Sequence, residues 1–404
     1  MDHIDGGSSQ HRVIKRSNKP PFSSFHAVES NDDLLIEILI RLPVISIILS
    51  KTVSNRWLSI IRNNNITYLR HKSDPASGLY VEQPESSSSS SSSSSVHDFV
   101  PLDIGIPVDR FPSKLILRGL KIVQSCNGLL LCHGDDYQHL CSYVYYVYNP
   151  TTNMFKKPPP CPIPHCPDSI GTMRLAYDPT KSPHYKLVYA RPTGNYNNPV
   201  LGFRIRIYTY SSETGIWSDF GDRYCSRSSD FGFLDYGIYW SNAIHWVGDL
   251  NYSKLCLEDL VITSVLAPEK ECYNRQLFES RGCLLIACVC PRVSLHDGEL
   301  NQLNVYEMSN GQSEWSIKYS VCLDEAMQSF PENWVYPYLL FSASVWCIVL
   351  GEREEDSFMV IELNGTVMQY KMMSNTLREL PYLKSGYLNH CPRRFEFIAS
   401  FAGV

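Results

Sequence analysis

Asp33-Leu34-Leu35-Ile36-Glu37-Ile38-Leu39-Ile40-Arg41-Leu42-Pro43-Val44 is the stretch on which the organisation of this chain turns. Leu34, Leu35, Ile38, Leu39 and Leu42 recur at the three- and four-residue spacing of one α-helical face. Asn31, Asp32 and Asp33 supply capping oxygens and negative charge at the helix start, where backbone N–H groups lack partners. Pro43 has no N–H to give a helix interior, so it closes the first helix and opens a second. Val44, Ile47 and Ile48 give the second helix a short apolar face. Ser54 caps a third, which carries Trp57, Leu58, Ile60 and Ile61. Three short helices in about forty residues rarely bury enough surface to be stable alone. Part of this apolar surface is expected to meet something else, either the rest of the chain or a second protein.

Outward from that segment the composition changes. Residues 1–29 are polar and are expected to be a disordered tail, with Arg12, Lys15, Arg16 and Lys19 read as solvated charge rather than a nuclear address. Residues 1–20 also lack the apolar core of a secretory signal. The fourteen cysteines are therefore expected as reduced thiols, in the nucleus or cytoplasm. The most apolar run, Leu34 to Leu49, contains Glu37, Arg41 and Pro43 and is ill suited to hydrocarbon, so no membrane partner is expected. Lys and Arg number 36 against 41 Asp and Glu, a formal charge of −5. Proteins that live on nucleic-acid phosphates usually carry a basic excess, which is missing here.

Beyond residue 73 the pattern is strand-like. A serine tract at 86–95 is expected to loop between two short strands, Gly78-Leu79-Tyr80-Val81 and Phe99-Val100-Pro101-Leu102, with an interdomain linker as the alternative. Five strand–turn–strand segments follow. They begin at Tyr145-Tyr146-Val147-Tyr148, Ile207-Tyr208-Thr209-Tyr210, Leu255-Cys256-Leu257, Leu303-Asn304-Val305-Tyr306 and Val367-Met368-Gln369-Tyr370. Their spacing of about 50–65 residues is that of propeller-type repeats. Each follows another apolar strand: Leu129-Leu130-Leu131, Tyr185 to Val188, Ala243 to Trp246, Cys283 to Ile286 and Val345 to Ile348. Three or four strands per unit suit a radial all-β array with a shared core. The fold class expected is a small all-α three-helix domain at 30–72 and a large all-β propeller-like domain at 73–404.

The helical segment, with Val53-Ser54-Asn55-Arg56-Trp57 behind it, resembles an F-box: an acidic-leucine-leucine start, a Leu-Pro-Val hinge and a Val-Ser-x-x-Trp close. It departs from that pattern at Ser30 and Asn31, at Ile45, and at Leu49 and Ser50. The β region resembles the F-box-associated, kelch-like domain of plant F-box proteins. The residues that carry this are Ser125-Cys126-Asn127-Gly128-Leu129-Leu130, Tyr148-Asn149-Pro150-Thr151-Thr152, Ala176-Tyr177-Asp178-Pro179 and Ala243-Ile244-His245-Trp246. The resemblance implies a substrate-recognition subunit of a Skp–cullin–F-box ubiquitin ligase. Its helices would dock on a Skp-type adaptor, and through it cullin, while the β domain holds a target protein. The side chains it points to for the adaptor are Leu34, Leu35, Ile38, Leu39, Leu42, Pro43, Ile47, Val53 and Trp57. The residues alone do not sort these anchors between a helical core and a partner contact. A stand-alone protein- or glycan-binding β domain is the alternative reading, and a propeller-fold oxidase a third.

Enzyme signatures are missing from the sequence: it has no phosphate-binding Gly-rich loop, no HExxH and no GxSxG, so no catalytic role and no cofactor are expected. Cys161, His165 and Cys166 lie close together, but six prolines between Pro158 and Pro167 point to an extended loop rather than a tetrahedral zinc site. His133, Asp135, Asp136 and His139 read as a polar turn rather than a metal cluster. Tyr196 and Tyr236 are loop aromatics that a target protein can reach.

Overall fold

The computed structural model describes residues 31–63, 66, 74–83, 94–102, 114–135, 143–162, 171–193, 203–225, 233–248, 250–268, 272–290, 302–308, 314–323, 343–363, 366–380 and 393–404. The tail expected over 1–29 lies outside them. The chain divides into two compact units, residues 1–42 with 46–66 and residues 43–45 with 67–404.

Helices α1 (Asp32–Leu39), α2 (Val44–Ser50) and α3 (Asn55–Asn63) follow the sequence signals closely. Asn31 is the N-cap of α1: its side-chain oxygen accepts from the Asp33 and Leu34 N–H groups at 3.0 and 3.3 Å. Ser54 does the same for α3, accepting from the Trp57 N–H at 3.2 Å. Arg56 of α3 donates back to Asp32 at the start of α1, which ties the ends of the segment together.

The second unit is a six-bladed β-propeller, each blade a four-stranded antiparallel sheet. Blade 1 holds β1 (Gly78–Glu82), β2 (Ser94–Pro101), β3 (Lys114–Arg118) and, from the far end of the chain, β24 (Arg394–Phe397). Blade 2 holds β4 (Lys121–Cys126), β5 (Leu129–Asp135), β6 (Tyr143–Asn149) and β7 (Met154–Lys156). Blade 3 holds β8 (Thr172–Ala176), β9 (Lys186–Pro192), β10 (Phe203–Ser211) and β11 (Ile216–Cys225). Blade 4 holds β12 (Ile238–Trp240), β13 (Ala243–Val247), β14 (Asn251–Cys256) and β15 (Ile262–Leu266). Blade 5 holds β16 (Tyr273–Ser280), β17 (Cys283–Cys290), β18 (Gln302–Met308) and β19 (Ser316–Cys322). Blade 6 holds β20 (Ser344–Val349), β21 (Phe358–Leu363), β22 (Thr366–Lys371) and β23 (Thr376–Glu379).

Turn chemistry explains why the chain reverses where it does. The first and second strands of three blades join through two-residue turns with positive φ: Asn127-Gly128, Ser241-Asn242 and Arg281-Gly282. Such turns match the twist of the strands they join. The third and fourth strands of four blades join through turns ending in Asn153, Gly215, Leu260 and Asn375, again with positive φ. Tyr148 Oη donates to the Asn153 side chain at 3.1 Å, and Tyr370 Oη to that of Asn375 at 2.8 Å. The same Tyr-to-Asn brace thus recurs in blades 2 and 6.

Apolar side chains gather between blades rather than within them. One cluster joins blades 5 and 6 through Leu285, Val305, Met359 and Met368, and another joins blades 2 and 3 through Leu129, Val147, Leu175 and Leu187. Polar groups on the inner strands then link neighbour to neighbour. Gln124 of β4 pairs like a backbone with Leu175 of β8, at 3.0 and 2.8 Å. Buried Arg174 donates to the Leu234 carbonyl at 2.8 Å. Trp240 Nε1 reaches the Gly282 carbonyl at 2.8 Å, and Ser280 Oγ accepts from the Leu350 N–H at 3.0 Å. Arg394 donates to Ser344 Oγ at 3.3 Å, and Ser125 Oγ to the Glu396 carbonyl at 2.6 Å, which completes the ring.

Several expectations need correction. Five repeats were legible, those of blades 2 to 6; the one missed is blade 1, which is assembled from both ends of the strand-forming region. Val345 to Ile348 lies on innermost β20, whereas the other four preceding strands are second strands; the equivalent in blade 6 is β21. The serine loop expected at 86–95 ends earlier, because Ser94 and Ser95 pair with Arg118 and Leu117 in β2; residues 84–93 lie outside the described part. His133 and Asp135 are strand residues of β5, not turn residues, paired with Tyr145 and Tyr143.

Candidate functional site

In the helical unit, the single apolar face expected for α1 splits into two stripes. Leu35 and Leu39 are buried, whereas Leu34 and Ile38 are 46% and 42% exposed. The reason is geometric: positions four apart share a stripe, so the pairs 35/39 and 34/38 lie side by side and only one stripe can face inward. Ile47 of α2 is buried, Leu42 and Trp57 are half-buried, and Pro43 is exposed. Val53, between α2 and α3, is 61% exposed. Sequence reasoning left out Leu49, which is 42% exposed and lies off the apolar face of Val44, Ile47 and Ile48. Glu37 of α1 pairs with Arg41, just past the end of that helix, at 2.9 Å, next to the open stripe.

Aliphatic side chains held against water are unfavourably solvated, and covering them is favourable. Burying Leu34 or Ile38 from its present exposure is worth about 1–2 kcal/mol. The arrangement is thus suited to docking against an apolar groove.

In the propeller, the motif residues hold the fold together. Cys126 Sγ and Asn127 Nδ2 both donate to the Tyr177 carbonyl, at 3.5 and 2.7 Å. Asn149 Nδ2 donates to the Ser400 and Ala402 carbonyls at 3.1 and 2.9 Å, while its side-chain oxygen caps the turn at Thr151 and Thr152. Thr151 Oγ1 accepts from the Ser400 N–H at 3.0 Å. Gly128 has no room for a side chain: a Cβ would stand 2.3 Å from Ser400 Cβ. The Cys-Asn-Gly, Asn-Pro-Thr-Thr and Ala-Tyr-Asp-Pro motifs therefore converge on one segment, the tail from Ile398 to Val404, which they clamp across blades 2 and 3. His245 is likewise internal: Nδ1 meets Tyr252 Oη at 2.6 Å, Nε2 meets the Trp240 carbonyl at 2.9 Å, and burial pushes its pKa down to about 4.

Tyr236 is 73% exposed on the short turn before β12. Tyr196 lies outside the described residues, as do His165, Cys166, Asp136 and His139. Among the described residues, no three His, Cys, Asp or Glu side chains are placed to hold a metal ion, and no helix is long and apolar enough to cross a membrane. Cys161 is half-buried against the core of blades 2 and 3.

Residues 31–69 match the F-box domain. F-box protein At5g07610 of Arabidopsis thaliana is 30% identical over 417 residues, covering 95% of this chain and 94% of that protein. F-box protein At5g03970 of Arabidopsis thaliana is 29% identical over 208 residues, covering 48% of this chain and 46% of that one. Among solved structures, the β-propeller domain of the Trilobed protease from Pyrococcus furiosus aligns with a TM-score of 0.36 at 11% identity, over 76% of this chain and 82% of that one.

Proposed function

This chain belongs to the F-box protein family, and we propose that it is a non-catalytic receptor that recruits a target protein to a Skp–cullin–F-box ubiquitin ligase for degradation. An F-box domain implies binding to a Skp-type adaptor. The observation that carries the finer reading is the open stripe of Leu34 and Ile38 within the F-box match, beside a buried stripe that keeps the helices folded. In this reading Leu34, Ile38, Pro43 and Val53 meet the adaptor, with Trp57 and Leu42 at the margin. Leu35, Leu39 and Ile47 act through them, by setting the helix positions.

The propeller holds the target. We assign it to the F-box-associated, kelch-like type on the strength of the four motifs, each of which serves an inter-strand or tail contact. Since those motif residues are committed to folding, recognition falls to exposed side chains such as Tyr236. Ubiquitin transfer then gains from proximity, because the complex raises the local concentration of target lysines. No residue of the chain needs to do covalent chemistry. A nuclear or cytoplasmic setting, where thiols are kept reduced, is part of the proposal.

Proximity labelling in cells tests this reading. Parent chain and a Leu34→Asp/Ile38→Asp variant are expected to label the same targets, with those targets losing ubiquitin and accumulating only in the variant. Targets whose ubiquitin and abundance are the same in both would overturn it.

A further inference from the structure

Three thiols meet at the border of blades 4 and 5. Cys272 immediately precedes β16, and Cys288 and Cys290 lie at the end of β17. These strands pair antiparallel, with Tyr273 opposite Val289. Continued by one residue, that register sets Cys272 opposite Cys290. Directly opposed residues have Cα atoms about 4.5–5.5 Å apart, within the disulfide range of about 4.4–6.8 Å. Cys288 is diagonal to Cys272, at about 7–8 Å, and falls outside that range.

The side chains agree with the backbone. The Cys272 thiol hydrogen-bonds with those of both Cys288 and Cys290. Asn304 Nδ2 donates to Cys290 Sγ at 3.8 Å, holding that sulfur in place. Cys288 and Cys290 are buried among Trp240, Tyr252 and Ile286, with Cys272 half-buried against them. A small oxidant therefore reaches Cys272 first and finds a second thiol in contact with it.

We propose that Cys272 and Cys290 are a redox modification site, forming a reversible disulfide when a peroxide reaches Cys272. The Cys272 sulfur attacks the peroxide: an S–O bond forms, the O–O bond breaks, and one water leaves with a sulfenic acid behind. The Cys290 sulfur then displaces that oxygen: the S–S bond forms, the S–O bond breaks, and a second water leaves. Two thiols have given two electrons, and one hydrogen peroxide has become two waters. A dithiol reverses the bond by exchange.

Hydrogen bonding to Cys288, with burial assisting against the pull of Cys290, raises the Cys272 thiol to about 12. The thiolate is the attacking form, so the site is slow near neutrality, and its rate rises about tenfold per pH unit. The new bond ties the start of β16 to the end of β17 and restrains the unfolded chain, which raises Tm.

Hydrogen peroxide treatment of the full-length chain, followed by alkylation and peptide mass spectrometry, tests this. The expected product is a Cys272–Cys290 cross-link lighter by two hydrogens, reversed by dithiothreitol, absent from Cys272→Ser and retained in Cys288→Ser. Its formation should accelerate about tenfold for each unit of pH. A cross-link to Cys288, over-oxidation of Cys272 without a partner, an unmodified Cys272, or an undiminished Cys272 cross-link in Cys290→Ser would each overturn the proposal.

Discussion

Ile38 and Leu39 are neighbours on α1, and one residue of separation decides their roles. Leu39 is fully buried and Ile38 is open. Leu39→Ala should cost about 2–5 kcal/mol of stability, as core truncations do. Ile38→Ala should change it by no more than about 0.5 kcal/mol. Urea unfolding of the two variants measures the difference. A second residue-scale prediction concerns His97 on β2, which is fully buried with neither ring nitrogen bonded among the described residues. Burial pushes its pKa down to about 4 from 6.5, with Asp98 pulling the other way. The fold thus accepts the neutral ring and resists the cation. This stability is complete above about pH 6.5 and is lost as pH falls through about 4, an effect on the order of 3 kcal/mol. His97→Phe, which keeps a ring edge-on to Phe395, should flatten the fall of Tm between those values. His245 titrates in the same window, so part of the slope should remain. An unchanged slope would rule His97 out as a contributor.

At the scale of the element, the tail from Ile398 to Val404 has a structural role that no local pattern announces. Asn149→Ala removes the bonds to the Ser400 and Ala402 carbonyls together with a turn cap. With both carbonyls losing that donor, the loss should be about 2–4 kcal/mol. Gly128→Ala should also destabilise, from a φ of +88 and the approach of Ser400. Equilibrium unfolding checks both; wild-type stability in Asn149→Ala would show that the tail is not clamped there. These contacts span some 250 residues of sequence, from |i−j| of 251 to 253, which is why the motifs could be noticed in the sequence but not explained. What was legible was local. Asn31, Pro43 and Ser54 mark helix ends by their own chemistry, and Tyr148 and Tyr370 sit at matching places ahead of their turns. Innermost strands were harder, because β12 spans only Ile238–Trp240 and carries no alternation to detect. The two stripes of α1 were merged into one, since periodicity gives a direction around the helix axis but not how wide an arc is covered.

For the whole molecule, the architecture separates folding from recognition. Inter-blade clusters, inner-strand hydrogen bonds and the clamped tail consume the motif residues of the propeller, and the F-box helices keep one apolar stripe inside and leave another outside. In the proposed function, that outer stripe is the part that meets the adaptor. Calorimetric titration of the purified full-length chain with a Skp-type adaptor, for the parent and for Leu34→Asp/Ile38→Asp, tests it most directly, with unfolding curves run on both. The account predicts parent binding and a loss of at least about a hundredfold in the variant, because two aliphatic contacts vanish and two carboxylates must be desolvated, with stability unchanged. A folded variant that binds the adaptor as tightly as the parent, or a folded parent that does not bind it at all, would contradict the account.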